Sequence, residues 1–277
     1  MEATRIALVQ MQSELGRIEK NVEKVLQYIS QAGASGTDII CFPEMCIQGY
    51  SRDSSKITPL AVPGDLTAAI CEAARKEGLT ALVGMAEKGE GGKPCITQLV
   101  AFPDGSLNKY RKTHLGKSER PHYTPGDDLP VFNAGKACFG IEICWDLHFP
   151  EISTILSLKG AEIIFAPHAS PVIVGDRRGI WMKYMAARAY DNSVFIAACN
   201  LVGNDGAGSD FCGGTLIIDP KGNPVAESFD CGEGMLITDL DPGLINMVRM
   251  KKSKSMRDSF FLESRRPELY GPLVGKN

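Results

Sequence analysis

The sequence predicts an α/β fold: one domain made of two similar halves, with helices on both faces of mixed sheets. Three observations predict it. Short apolar, strand-like runs alternate with segments of helical period. The second half repeats the order of the first, β-α-β-α-β and then a hairpin. Ile40-Cys41-Phe42-Pro43 also has a counterpart in type and position, Ile164-Phe165-Ala166-Pro167, which points to an internal pseudo-twofold. The chain therefore reads as a single domain over residues 1–277, with 246–277 a C-terminal tail beyond the repeated core.

In the first half, residues 5–10 are apolar and β-like. Between 17 and 31, Ile18, Val22, Val25, Leu26 and Ile29 recur at helical spacing. Residues 38–42 form a short apolar run, the mark of a buried parallel strand. A helix at 65–77 and a strand at 80–86 follow. Gly89-Glu90-Gly91-Gly92-Lys93 is too short for a domain linker and reads as a loop. Residues 98–102 and 107–111 flank Pro103-Asp104-Gly105, so they read as a hairpin. In the second half, 137–143 is a strand, 149–159 a helix and 163–166 a strand. A helix at 178–191 and a strand at 194–199 come next. Residues 215–218 and 225–228 flank Asp219-Pro220-Lys221-Gly222-Asn223, a second hairpin.

Composition removes several function classes. The 277 residues are 44% hydrophobic and 23% charged, which is globular rather than disordered. Lys and Arg number 30 against 33 Asp and Glu, so no basic face for nucleic acid is expected. No apolar run reaches the roughly 20 residues that span a bilayer. Met1-Glu2-Ala3-Thr4-Arg5 runs straight into a strand and lacks the plan of a signal peptide. Nine cysteines without a C-x-x-C pair read as reduced thiols in a cytoplasmic enzyme. Dinucleotide, P-loop and G-x-S-x-G signatures are absent. His114, His122, His148 and His168 are never three to five apart, so neither a metal nor another cofactor is expected.

Chemistry concentrates at the carboxyl ends of strands, where α/β folds place their sites. Glu44 follows a buried strand in Cys41-Phe42-Pro43-Glu44. Lys112 leaves the first hairpin in Tyr110-Arg111-Lys112-Thr113-His114-Leu115. Cys144 ends a strand in Gly140-Ile141-Glu142-Ile143-Cys144-Trp145, and Phe149-Pro150-Glu151 starts a helix. A thiol on such a strand-to-helix turn can be exposed and have its pKa lowered by the helix dipole. Taken singly, the first two read more readily as a solvated carboxylate and a surface lysine. Loops after strands also nominate Tyr50, His168, Arg177 and Trp181 as pocket walls.

Together, the three segments resemble the motifs of the nitrilase, or carbon–nitrogen hydrolase, superfamily. The resemblance continues through Ala187-Arg188-Ala189-Tyr190-Asp191-Asn192, Ala198-Cys199-Asn200 and Gly213-Gly214-Thr215, over roughly residues 4–245. It implies a four-layer α-β-β-α sandwich with the pseudo-twofold above. It implies a catalytic triad of Glu44, Lys112 and Cys144, and a second, substrate-positioning glutamate at Glu119. It also implies a homodimer or higher homo-oligomer. The apolar Ser259-Phe260-Phe261-Leu262 and Leu269-Tyr270 are expected to pack on a neighbouring subunit.

The implied reaction is hydrolysis of a small amide or N-carbamoyl compound through a thioester on Cys144. Glu44 is expected to move the protons; Lys112 and the backbone N–H of Trp145 would stabilise the oxyanion. A true nitrilase fits the same triad. A glutamine-hydrolysing subunit of a synthetase and an inactive binding module are the readings from other classes. Relatives that cleave N-carbamoyl-D-amino acids carry two arginines three and four positions after the nucleophile. Leu147 and His148 stand there, so a substrate without a carboxylate at that distance is expected unless Arg177 or Arg178 substitutes from another loop.

Overall fold

Strands that are apolar on both faces must be covered on both faces, and that requirement organises this chain. The computed structural model describes residues 1–249 and 261–275. The first half runs β1 (Thr4–Gln10), α1 (Ile18–Ala34), β2 (Ile39–Cys41), α2 (Asp65–Glu77), β3 (Thr80–Glu87), β4 (Cys95–Ala101) and β5 (Leu107–Arg111). A two-residue strand, β6 (Phe132–Asn133), ends that half, and the second runs β7 (Cys138–Ile141), α3 (Pro150–Leu158), β8 (Ile163–His168), α4 (Arg177–Asn192) and β9 (Phe195–Asn200). A short ribbon, β10 (Val202–Asn204) and β11 (Asp210–Cys212), precedes β12 (Thr215–Ile218), β13 (Pro224–Ser228), β14 (Gly234–Leu240) and α5 (Pro242–Arg249).

Two six-stranded sheets result, ordered β14-β1-β2-β3-β4-β5 and β13-β12-β9-β8-β7-β6. Read from the opposite edge, the second order repeats the first, with β7, β8 and β9 standing for β1, β2 and β3. In each, three parallel strands continue into an antiparallel hairpin. Each half also gives its last strand to the other half's sheet: β6 pairs with β7, and β14 with β1.

Alternation along the strands builds the layers. Ile6, Leu8, Ile39, Cys41 and Leu82 meet Phe139, Ile141, Phe165 and Phe195 between the sheets. The alternate residues Ala7, Val9, Ile40 and Val83 face Val22, Val25, Ile29 and Ile70 of α1 and α2. Ile164, Ala166, Ile196 and Ala198 likewise face α3 and α4. The molecule is thus a four-layer α-β-β-α sandwich with pseudo-twofold symmetry.

Differences from expectation lie in long-range pairing and at element ends. The sequence reading omits β6, β14, the β10–β11 ribbon and α5. It also stops α1 three residues early. Strand β7 ends at Ile141, before the expected end at 143, because Ile143 N turns to the Asp146 carboxylate. A 3₁₀ turn, Cys144–His148, then separates the strand from α3. The expected oligomer tail starts inside α5, which buries Ile245 and Val248 in its own subunit. Leu262 is also buried within this chain, while Leu269 and Tyr270 are exposed. Ser259 and Phe260 lie outside the described residues, as does the side chain of Phe261. All nine cysteines are free.

Candidate active site

Glu44 reaches the site because β2 stops at Cys41 while its backbone stays tied to neighbours. Phe42 N bonds to Leu82 O, and the Gln98 side chain bonds to Phe42 O. The Pro43-Glu44 backbone passes so close over Gly84 of β3 that a Cβ there would lie 2.1 Å from Pro43 O. Only glycine admits that crossing. By the pseudo-twofold, Pro43-Glu44 corresponds to Pro167-His168, which places His168 at the end of β8 opposite Glu44 in the fold.

Lys112 extends the β5 ladder by one bond, from its N to Ile96 O. Its side chain is buried at 1% exposure, and the ammonium sits between two carboxylates. Nζ is 2.7 Å from Glu44 Oε1 and 2.9 Å from Glu119 Oε1. Glu119 Oε1 also accepts from the Tyr50 hydroxyl at 2.7 Å, and Oε2 accepts from Gly116 N at 2.6 Å. Glu44 Oε2 has no partner and remains a bare, buried acceptor.

Cys144 heads the 3₁₀ turn with φ +46°, a left-handed conformation that non-glycine residues seldom hold. Asp146 fixes that turn from beneath. Its carboxylate accepts from Ile143 N, His114 N, the Tyr110 hydroxyl and the Thr113 hydroxyl, at 2.8–3.1 Å. The strain at Cys144 is therefore held by a buried carboxyl group bonded to both sides of the site.

The electrostatics follow from burial and this array. Burial pushes the Glu44 carboxyl up to about 7, with Lys112 opposing and Glu119 adding to the rise. Burial disfavours the Lys112 charge, but the two carboxylates outweigh it and hold its pKa well above the usual value. Burial would also raise Glu119, but Lys112 and its other donors leave it below the usual carboxylate value. The Cys144 thiol is pushed up to about 12, by burial and then by Glu44. The helix-dipole lowering expected from the sequence is overridden by desolvation. Burial takes His168 down to about 3, so its imidazole is neutral. Its Nδ1 lies 2.8 Å from Ala166 O, an acceptor, so Nδ1 carries the proton and Nε2 is a free lone pair.

Lys112, Glu119, Cys144, Tyr50, His168 and Arg177 face one cavity of about 780 Å³. Trp145 stands at its mouth, 41% exposed. Trp181 is not in the wall. It is fully buried behind His168, ring centroids 4.8 Å apart, because the first turn of α4 turns it into the core. Arg178 points outward to Glu227 at 2.9 Å. Leu147 is buried, whereas His148 joins Trp145 and Tyr184 in an aromatic ledge with centroid spacings of 4.6 and 5.1 Å. The sequence reading misses Tyr184 and Arg52 as wall residues. Tyr184 carried one usable signal: it lies on α4 one turn after Ile180, on the face that also lines the cavity. Among the described residues, no group of three or more His, Cys, Asp or Glu is gathered to hold a metal. No helix among them is long and apolar enough to cross a membrane.

The arrangement supplies a fixed ammonium and a sulfur at a strained turn on one cavity wall, with a proton acceptor, Glu44, buried outside that wall and bonded to Lys112. Comparison with known proteins agrees in family. A nitrilase of Pyrococcus abyssi is 29% identical, over 96% of this chain and 98% of its own length. An (R)-stereoselective amidase of a Pseudomonas species is 29% identical, over 96% of this chain and 93% of its own. The crystal structure of an amidase from a Nesterenkonia species superposes with a TM-score of 0.81 at 24% identity, covering 98% of this chain and 96% of that one. The carbon–nitrogen hydrolase family model matches residues 5–250, nearly the whole described fold, and the chain belongs to that family.

Proposed function

We propose that the protein hydrolyses the C–N bond of a small amide through a thioester on Cys144. The observation that carries this reading is the buried Glu44–Lys112–Glu119 array, whose Lys112 and Glu119 share one cavity wall with Cys144. The amidase and nitrilase relatives support it. With the thiol raised to about 12 and Glu44 to about 7, the resting pair above about pH 7 is thiol and carboxylate. The proton therefore leaves sulfur as sulfur bonds to the carbonyl carbon, and Glu44 Oε2 receives it. Negative charge forms on the carbonyl oxygen, against the Lys112 ammonium and the Trp145 backbone N–H; one such donor is worth about 3–4 kcal/mol of barrier. The C–N bond then breaks, and protonated Glu44 gives its proton to the departing nitrogen. Glu44 next takes a proton from water as the hydroxyl oxygen attacks the thioester, and returns it to sulfur. Acid and ammonia or amine leave.

The test is Cys144→Ala with thiol labelling. The variant should fold and lose at least about a thousandfold in kcat. Iodoacetamide should modify Cys144 in spite of its raised pKa, because Glu44 takes the thiol proton as sulfur attacks, and Glu44→Gln should slow that labelling, read by peptide mass spectrometry. Wild-type rates in Cys144→Ala, with Cys144 of the wild type unlabelled, would sink the mechanism. The likeness to a nitrilase favours one second reading, attack on a nitrile carbon by the same sulfur. Rates on a nitrile and an amide with the same side chain separate the two.

A further inference from the structure

His168 brings to the cavity a hydrogen-bond acceptor that the protein leaves unmatched. It ends β8 and is 1% exposed, lining the same cavity as Cys144. Its Nδ1–H donates to Ala166 O at 2.8 Å, which ties one side of the ring to its own strand. Trp181 backs the ring, with centroids 4.8 Å apart. Nε2 is the atom left over, and among the described residues it has no donor. Two neighbouring donors do not supply one. Trp181 Nε1 is itself without a partner, and the Arg177 guanidinium lies over the Trp181 ring, 5.8 Å from its centroid, and bonds to Tyr184. A proton does not quench the lone pair either. Burial takes the imidazole down to about 3; the bond to Ala166 O opposes this, while the Arg177 and Lys112 charges add to it. An unmatched buried acceptor costs about 1–3 kcal/mol, which a donor arriving from outside recovers.

The rest of the site decides which part of a substrate meets His168. The next residue, Ala169, gives its backbone N–H to the Cys144 sulfur, so the imidazole stands one residue from the point of attack. In the proposed hydrolysis the carbonyl oxygen turns to Lys112 and the Trp145 N–H. The scissile nitrogen takes its proton from Glu44 and leaves on the Glu44 side. His168 holds the position opposite Glu44 in the pseudo-twofold and is backed by Trp181 of α4. The substituent left for that side is the acyl group. The wall's charge decides the form of the donor. Arg52, Lys112, Lys117 and Arg177 line the cavity. The one carboxylate there, Glu119, is already engaged by Lys112, Tyr50 and Gly116. An ammonium on the acyl group would meet like charges, so the donor that fits is uncharged.

We infer that His168 Nε2 accepts a hydrogen bond from the acyl part of the substrate, and that the preferred amides carry an uncharged donor, a hydroxyl or an N–H, close to the carbonyl. His168 is then a specificity-determining residue that exchanges no proton. The inference rests on the proposed hydrolysis at Cys144.

The experiment compares kcat/KM for short α-hydroxy and β-hydroxy amides with their O-methyl ethers, which keep the oxygen and lose the donor. Wild type should favour the hydroxy amide of at least one pair. His168→Phe keeps an aromatic ring and removes the acceptor. In it the ratio of hydroxy to ether kcat/KM should fall about 5- to 100-fold, the loss expected when a buried acceptor no longer meets its donor. His168→Gln, which can offer an oxygen in place of Nε2, should lie between. Circular dichroism checks folding, and a readout independent of turnover accompanies it. By calorimetry, Cys144→Ala should bind the hydroxy amide more tightly than the ether, and adding His168→Phe should remove the difference. A ratio near one for both pairs in wild type overturns the inference. So does a ratio that His168→Phe leaves unchanged while both rates drop together, which marks a packing role. If Cys144→Ala keeps its activity, the proposed hydrolysis itself fails; if Cys144→Ala is dead and the ratio is unchanged, only the His168 inference fails.

Discussion

Glu119 spends one oxygen on Lys112 and Tyr50 and the other on Gly116 N. That distribution suits a positioning group better than a proton carrier, since both oxygens are occupied. Glu119→Gln keeps the shape and removes the charge. It should lower kcat about 100-fold, the scale of a misplaced reacting group, while Cys144 still reacts with iodoacetamide. An unchanged kcat would return Glu119 to a loop-stabilising role. Glu142, two residues before the nucleophile, gives a different prediction. Burial pushes its carboxyl up to about 8, against a bond from Ser153 Oγ at 2.6 Å. The folded value lies above the unfolded one, so the native state holds this proton more tightly. The stabilisation is complete below about 4.5 and is lost as pH rises through about 8. Glu142→Gln should therefore melt near wild type at pH 5 and above it at pH 9. Parallel melting temperatures across that range would refute this.

At the scale of elements, the strand-to-helix turn bearing Cys144 depends on Asp146. Four donors converge on this fully buried carboxylate, three of them from the segment that also delivers Lys112. Asp146→Ala strands those donors and should cost about 2–4 kcal/mol in urea unfolding, and it should slow Cys144 labelling as the turn relaxes. A loss below 1 kcal/mol would show that the strain at Cys144 is held by other means. Much of this architecture was legible. Pro150 marked the helix start, apolar runs marked β2, β7 and β8, and Glu44, Lys112 and Cys144 all fell at strand exits. The unread parts share a cause. Strands β6 and β14 pair with residues remote in sequence, and β6 is two residues long, so local period says little about either. Arg52 and Tyr184 become wall residues only once α4 and the loop after Gly49 are brought together. Trp181 misled because an aromatic near a helix start looks available, whereas the helical turn carries it inward.

For the whole molecule, the outer helical layer leaves Ile155 and Leu158 of α3 at 38% and 46% exposure. Apolar side chains clustered on one layer are what a second copy would cover. Light scattering at micromolar concentration should therefore give at least a dimer, and Leu158→Glu should weaken it; a wild-type monomer would contradict this.

The exchange of final strands between the halves also bears on how the chain is made. Strand β1 is synthesised well before its β14 partner, which pairs Leu240 with Thr4. At typical synthesis rates, that pairing waits on the order of 10–50 s after β1 leaves the ribosome. Throughout that interval β1, apolar from Ile6 to Val9, is an open edge of the kind that recruits foreign strands. The nascent first half thus keeps an open sheet edge until β14, the last strand among the described residues, arrives to close it.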